Sequence, residues 1–118
     1  MSRVAETSAA AWLESLPSAH LALLYKHSPI CGSSRQAEVE VSDFISAHPE
    51  ARVYRVDVIG ERALSAELAE LLGVAHESPQ AILLAGRTVV WHGSHGEVTA
   101  TDLDSAYRAA ARDLESEE

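Results

Sequence analysis

The only cysteine of the chain, Cys31, lies between an apolar run and a segment of helical periodicity. The apolar run, 21–25, predicts a buried strand, and Pro29 then indicates a turn. The residues that recur at helical spacing behind the cysteine are Ala37, Val41, Phe44, Ile45 and His48. Cys31 is therefore predicted at a helix N-terminus, where free N–H groups and the helix dipole favour a thiolate. The alternative is a buried structural thiol.

The only lysine, Lys26, precedes this cysteine by five residues and is the candidate cation for activating the thiol. A helix N-terminus stabilises a nearby anion by about 0.3–2 kcal/mol. One pKa unit corresponds to about 1.4 kcal/mol, so the helix alone lowers the thiol pKa by about one unit from about 8.5. A neighbouring ammonium group would complete the ionisation. The alternative is an exposed lysine at a strand end with no special role.

Composition and charge exclude several classes of function. The chain has 118 residues, 47% of them hydrophobic, which predicts one domain over residues 1–118 with one ordinary core. The net charge of −9 argues against nucleic-acid and anionic-membrane partners. The N-terminal run contains glutamates and lacks the apolar core of a signal peptide, and no segment reaches the roughly 20 apolar residues of a membrane span. A cytoplasmic protein with a free thiol is therefore expected.

The predicted elements follow the order helix, strand, helix, strand, helix, strand, strand, helix. After the cysteine-led helix come a strand at 52–59, a helix ending at Gly73, a hairpin of strands at 80–85 and 88–92, and a last helix starting near Thr99. Two parallel β-α-β links and a terminal hairpin predict an α/β protein of thioredoxin-like fold, with a four-stranded mixed sheet flanked by helices. This fold places Pro79 beside the Cys31 turn.

Three motifs carry a resemblance to a known family: KHS at 26–28, HESPQ at 76–80 and WHGSH at 91–95. From about Leu21 to Leu103 the chain resembles the bacillithiol-system redox proteins of the YtxJ type, a monothiol bacilliredoxin family of the thioredoxin-like superfamily. The resemblance implies a cytosolic enzyme that removes bacillithiol from protein mixed disulfides. Its partners are then the S-thiolated client proteins and the small thiol, which is a co-substrate, and no cofactor is tightly bound. Cys31 matches the family nucleophile, and Pro79 matches the cis-proline beside it.

The residues around Cys31 and Pro79 are further candidates for the site. Where the family site reads T-C-P-I-S, this chain has ICGSS at 30–34, so that Gly32 replaces the proline. Ser34 occupies the position of the resolving cysteine in dithiol relatives. The residues expected to stabilise the thiolate are Lys26, Gly32 and Ser34. The residues expected to bind the substrate are Ser78, Pro79 and Gln80, with the Ser78 backbone pairing with an extended peptide.

Two other functions remain open. The sequence around Cys31 also resembles the C-G-F-S site of monothiol glutaredoxins, which bridge iron–sulfur clusters with glutathione, and this predicts a cluster carrier as one alternative. The other is a non-catalytic binding module of thioredoxin fold. Cys31, His92 and His95 would supply three zinc ligands, but the histidines lie in a polar loop without a second cysteine, so no metal site is predicted.

Overall fold

The computed structural model describes residues 1–4, 8–29 and 32–116. Its strands are β1 (Ser2–Arg3), β2 (Leu21–His27), β3 (Arg52–Asp57), β4 (Gln80–Ala85) and β5 (Thr88–Ser94). Its helices are α1 (Ala9–Ser15), α2 (Gly32–Ala47), α3 (Arg62–Leu72) and α4 (Ala100–Ser116), and a 3-10 turn, His95–Glu97, joins β5 to α4. The predicted α/β element order is thus confirmed from α1 onwards.

The sheet has five strands in the order β1-β3-β2-β4-β5, with β2 parallel to β3 and antiparallel to β4. The four-stranded sheet predicted from the sequence is wrong by one strand, because β1 adds to the edge, parallel to β3. Strand β1 comprises two exposed residues. Two residues are too few to produce the alternating apolar pattern from which a strand is predicted.

The central strand β2 separates two apolar cores. Ala22 and Leu24 pack with α1 and α3 on one face, whereas Leu23 and Tyr25 pack with α2 and α4 on the other. All seven residues of β2 are buried. A strand covered on both faces needs apolar side chains in both directions, which explains why this segment is a continuous apolar run.

The ends of the helices follow the predicted start and stop signals, with one signal missed. Gly73 ends α3 with φ +67°, the left-handed cap expected there, and Thr99 Oγ1 accepts the N–H of Asp102 at 3.1 Å at the start of α4. The region after His92 was predicted as a loop. Instead β5 continues to Ser94, and Ser94 and Glu97 form a capping box around the 3-10 turn. Their S-x-x-E spacing is the sequence signal for this box.

Among the described residues, no helix is both long and apolar enough to cross a membrane. Within the same ranges, no group of three histidine, aspartate or glutamate side chains is arranged to hold a metal ion.

Candidate active site

The described residues of the predicted site lie at one end of the sheet, where β2 and β3 end and β4 begins. Lys26 lies opposite both Val56 of β3 and Gln80 of β4. The chain leaves β2 through Ser28 and Pro29, and α2 begins at Gly32. Cys31 itself, with Ile30, lies outside the described residues. Its role as nucleophile stays a prediction, and the structure defines its two flanks.

A chain of hydrogen bonds joins the end of β2 to the first turn of α2. The buried Tyr25 hydroxyl donates to the Ser34 carbonyl at 3.1 Å and lies 2.8 Å from His27 Nδ1. Because a hydroxyl has one proton, we assign the His27 proton to Nδ1, which then donates to the Tyr25 oxygen. Burial raises the pKa of Tyr25 and lowers the pKa of His27, so both groups are neutral at pH 7. This network fixes the helix start relative to the strand.

Ser34, the residue at the expected resolving position, is fully buried. Its Oγ accepts the backbone N–H of Ser28 at 3.2 Å, which closes the turn that carries the cysteine. No acceptor for the Ser34 hydroxyl proton is found among the described residues. Donation to the Cys31 thiolate by Ser34 stays a prediction. Gly32 is exposed, and a Cβ added there would meet no described atom within 4 Å.

Lys26 is fully buried on the opposite face of β2, towards α3. Its Nζ donates to the Ser65 carbonyl at 3.2 Å and lies 3.3 Å from His76 Nδ1. Burial lowers the pKa of Lys26 from 10.5 to about 8, and no described carboxylate forms an ion pair with it. Within 1–4, 8–29 and 32–116, the amine is therefore a buried cation without a counter-charge. Stabilisation of the Cys31 thiolate by Lys26 stays a prediction.

The segment before β4 contains a cis peptide bond between Ser78 and Pro79. The Pro79 carbonyl accepts the N–H of His95 at 2.8 Å, and His95 Nε2 lies 2.9 Å from a Glu77 carboxylate oxygen. These contacts join two of the sequence motifs, 76–80 and 91–95. His95 has φ +52°, a left-handed conformation that is uncommon outside glycine.

Gln80 directs its side chain inward and holds this segment in place. Its Nε2 donates to the Ala75 carbonyl at 3.0 Å and to Ser94 Oγ at 3.3 Å. The Gln80 Oε1 and Ser78 Oγ atoms are buried and have no hydrogen-bond partner among the described residues. Substrate binding by Ser78, Pro79 and Gln80 stays a prediction, and the inward direction of the Gln80 side chain limits it to an indirect role.

Two grooves lie near the predicted site, one beside α3 and one beside α2. The first, which we call the α3 groove, has a volume of about 340 Å³ and is lined by Val58, Ile59, Arg62, Ser65, Ala66 and His76. The second, which we call the α2 groove, has a volume of about 350 Å³ and is lined by Ser33, Gln36, Ala37, Glu40, His95, Gly96, Val98 and Thr99. Neither groove was predicted from the sequence, because each combines residues of distant segments. The sequence motifs contribute one lining residue to each groove: His76 of HESPQ lines the α3 groove, and His95 of WHGSH lines the α2 groove.

Comparison with solved structures identifies the fold. A protein described as a proposed oxidoreductase with a thioredoxin fold is 28% identical, with a TM-score of 0.73 over 83% of this chain and 84% of its own. Thioredoxin 2 from Pseudomonas aeruginosa PAO1 is 16% identical, with a TM-score of 0.71 over 95% of each chain. Fasciola hepatica thioredoxin is 22% identical, with a TM-score of 0.69 over 92% of this chain and 98% of its own. The predicted thioredoxin-like fold is confirmed.

Comparison with protein families confirms the resemblance found in the sequence. The model of the family described as monothiol bacilliredoxin BrxC matches residues 5–103. This match spans every strand from β2 to β5, the turn with Cys31, and the segment with the cis-proline. The chain therefore belongs to the monothiol bacilliredoxin family of thiol redox proteins.

Proposed function

We propose that this protein is a monothiol thiol–disulfide oxidoreductase that removes a low-molecular-weight thiol, bacillithiol in the first instance, from protein mixed disulfides in the cytoplasm. The observation that carries the proposal is the position of the only cysteine, directly before α2 in a chain of bacilliredoxin type. Free N–H groups of the first helical turn, beginning at Gly32, favour the thiolate form of Cys31. The buried ammonium group of Lys26 and a hydrogen bond from the Ser34 hydroxyl would support the same negative charge.

The proposed cycle has two exchange steps. The Cys31 thiolate attacks the small-thiol sulfur of the mixed disulfide, so that one S–S bond forms as another breaks, and the client cysteine leaves as a thiolate. Cys31 then carries the small thiol in a mixed disulfide. Since the chain has no second cysteine, an outside thiol must attack this adduct to release Cys31. The small thiol is thus a co-substrate, and no bound cofactor enters either step.

Substrate contacts are assigned to the segment around the cis-proline. The Ser78 backbone is the proposed partner of an extended client peptide, as when a strand is added to a sheet edge. Pro79 is buried and hydrogen-bonded through its carbonyl to His95, so this segment is held in one position. Gln80 maintains that position from inside by its contacts to Ala75 and Ser94.

Intact-mass analysis tests the cycle. Incubated with a disulfide of the small thiol, the protein should gain one adduct, and the Cys31→Ser variant should gain none. The adduct should persist until reduced thiol is added. The Ser34→Cys variant should clear the adduct without added thiol, because a neighbouring thiol resolves it inside the protein. A protein that reduces its clients without gaining an adduct, or an active Cys31→Ser variant, would contradict the mechanism.

A further inference from the structure

The α3 groove concentrates positive charge in a protein that is acidic overall. The chain has 18 acidic and nine basic residues, yet the groove lining contains the cation Arg62 and no carboxylate. Burial and the neighbouring charge of Lys26 lower the pKa of His76, so its ring serves as a neutral hydrogen-bonding group of the lining. The buried amine of Lys26 lies directly behind this lining, within 3.3 Å of His76 Nδ1. Ser65 completes the cluster, since its Oγ lies 3.3 Å from the same ring nitrogen. The charges of Arg62 and Lys26 create a positive potential at the floor of the groove.

Three carboxylates that adjoin lining residues in the sequence have other partners. Asp57 Oδ1 accepts the N–H groups of Ile59 and Gly60. Glu61 Oε1 accepts the N–H of Asp57 and lies 3.8 Å from Arg3. Asp57 and Glu61 line a separate groove together with Arg3 and Arg55. Glu77, next to His76, contacts His95 at 2.9 Å. The charge of Glu77 acts on His76, but neither Arg62 nor Lys26 forms an ion pair with a described carboxylate.

The α3 groove borders the C-terminal end of β2, from which the chain continues to Cys31. The N–H of Val58, a lining residue, donates to the carbonyl of His27, the last residue of β2, at 2.9 Å. His76, at the other wall, is three residues before Pro79. The groove thus lies beside the end of β2, four residues before Cys31 in the sequence.

Resting on the proposed function, we propose that the α3 groove binds a carboxylate group of the substrate next to the disulfide under attack. Arg62 and His76 donate hydrogen bonds to the carboxylate, and Lys26 adds its charge from below. The apolar part of the lining, Val58, Ile59 and Ala66, packs against the carbon chain that carries the carboxylate. The carboxylate belongs either to the small thiol or to the client peptide, and both have the same chemistry.

Two small disulfides that differ in charge test this site. The dianionic probe is 3,3′-dithiodipropionate, the neutral probe is bis(2-hydroxyethyl) disulfide, and the measured quantity is the rate of adduct formation on Cys31. Arg62→Gln should slow the reaction of the dianionic probe about fivefold and leave the neutral probe unchanged. Arg87→Gln is the matched control, because Arg87 is an exposed arginine in the β4–β5 turn, in the groove shared with Glu14 and Leu16. It removes the same charge and should change neither rate.

A mixed disulfide of a short peptide with glutamate or glutamine next to its cysteine identifies the source of the carboxylate. If Arg62→Gln slows only the glutamate peptide, the carboxylate is the client's, and if it slows only 3,3′-dithiodipropionate, the carboxylate is the small thiol's. Either result supports the site. Equal effects of Arg62→Gln and Arg87→Gln on every probe would overturn it, since the arginine would then act only through net charge.

A binding measurement separates this inference from the proposed function. In a titration of the Cys31→Ser variant with succinate, followed by NMR, the amide signals of Arg62, Ser65 and His76 should shift, and Arg62→Gln should abolish these shifts. If no disulfide forms an adduct but succinate binds in this way, the redox proposal fails and the anion site stands. If succinate shifts none of these signals, the anion site is overturned, whether or not the redox reaction proceeds.

Discussion

Lys26 is expected to lower the stability of the protein at neutral pH, so that Lys26→Met should raise it. The side chain is fully buried, and burial lowers the pKa of its amine from 10.5 to about 8. At about 1.4 kcal/mol per pKa unit, this shift corresponds to roughly 3 kcal/mol of destabilisation while the amine is charged. Methionine of similar length would lose the hydrogen bond to the Ser65 carbonyl, which costs about 1 kcal/mol. The variant should therefore gain about 2 kcal/mol at pH 7.

The pH dependence identifies the buried charge as the cause. The folded pKa of Lys26 is lowered, so the penalty is complete below about pH 8. It fades as the pH rises towards 10.5, because the folded amine loses its proton while the unfolded chain keeps it. Wild type therefore gains stability relative to Lys26→Met in this range. The difference between them should fall to about 0.5 kcal/mol at pH 9.5.

Urea unfolding followed by far-UV circular dichroism at pH 7 and pH 9.5 measures this difference. Leu24→Met is the matched control, since Leu24 is buried on the same face of β2 and carries no charge. Its effect should be the same at both pH values. If Lys26→Met is less stable than wild type at pH 7, or if its difference from wild type does not change with pH, the reasoning about the buried amine is refuted.

Two further predictions concern the start of α2 and its packing on α4. Ser34→Ala should lower the free energy of unfolding by about 1–3 kcal/mol, because the buried N–H of Ser28 loses its acceptor. The control Ser33→Ala, at an exposed position, should change the free energy of unfolding by less than about 0.5 kcal/mol. The hydrogen bond from His48 lowers the pKa of Asp104, so the stability that this carboxylate contributes is present at neutral pH and is lost as the pH falls through its lowered pKa. Urea unfolding should show that Asp104→Asn is less stable than wild type at pH 7. The difference in the free energy of unfolding between the two proteins should be smaller at pH 3.

The sequence predicts most of the fold because its patterns follow from local rules. The apolar run at 21–25 predicts the central strand, and the helical spacing after Cys31 predicts α2, since burial on one or both faces determines these patterns. Gly73 likewise predicts the end of α3, because only a residue that tolerates positive φ closes a helix in this way. The fifth strand escaped prediction because β1 is held by pairing with β3 and not by its own two side chains.

The site is predicted less completely, because its geometry depends on contacts between distant segments. The sequence places Lys26 near the cysteine but does not show that its amine reaches the Ser65 carbonyl and His76. The direction of a side chain in a strand follows from the faces of the sheet, which become known only when the helices are assigned to them. The α3 groove is not predictable from the sequence for the same reason, since Arg62 and His76 belong to different segments of the chain.

The contacts of Ser34 give this residue a structural role at the start of α2. In a dithiol enzyme, the residue three positions after the nucleophile supplies the thiol that attacks the mixed disulfide. Here Ser34 Oγ accepts the N–H of Ser28, and its carbonyl accepts the Tyr25 hydroxyl, so the residue is part of the packing between β2 and α2. Sulfur is a weaker acceptor than oxygen, so Ser34→Cys should gain the internal resolving reaction but lose stability. The serine thus contributes to the structure of the turn while leaving release of the adduct to an outside thiol.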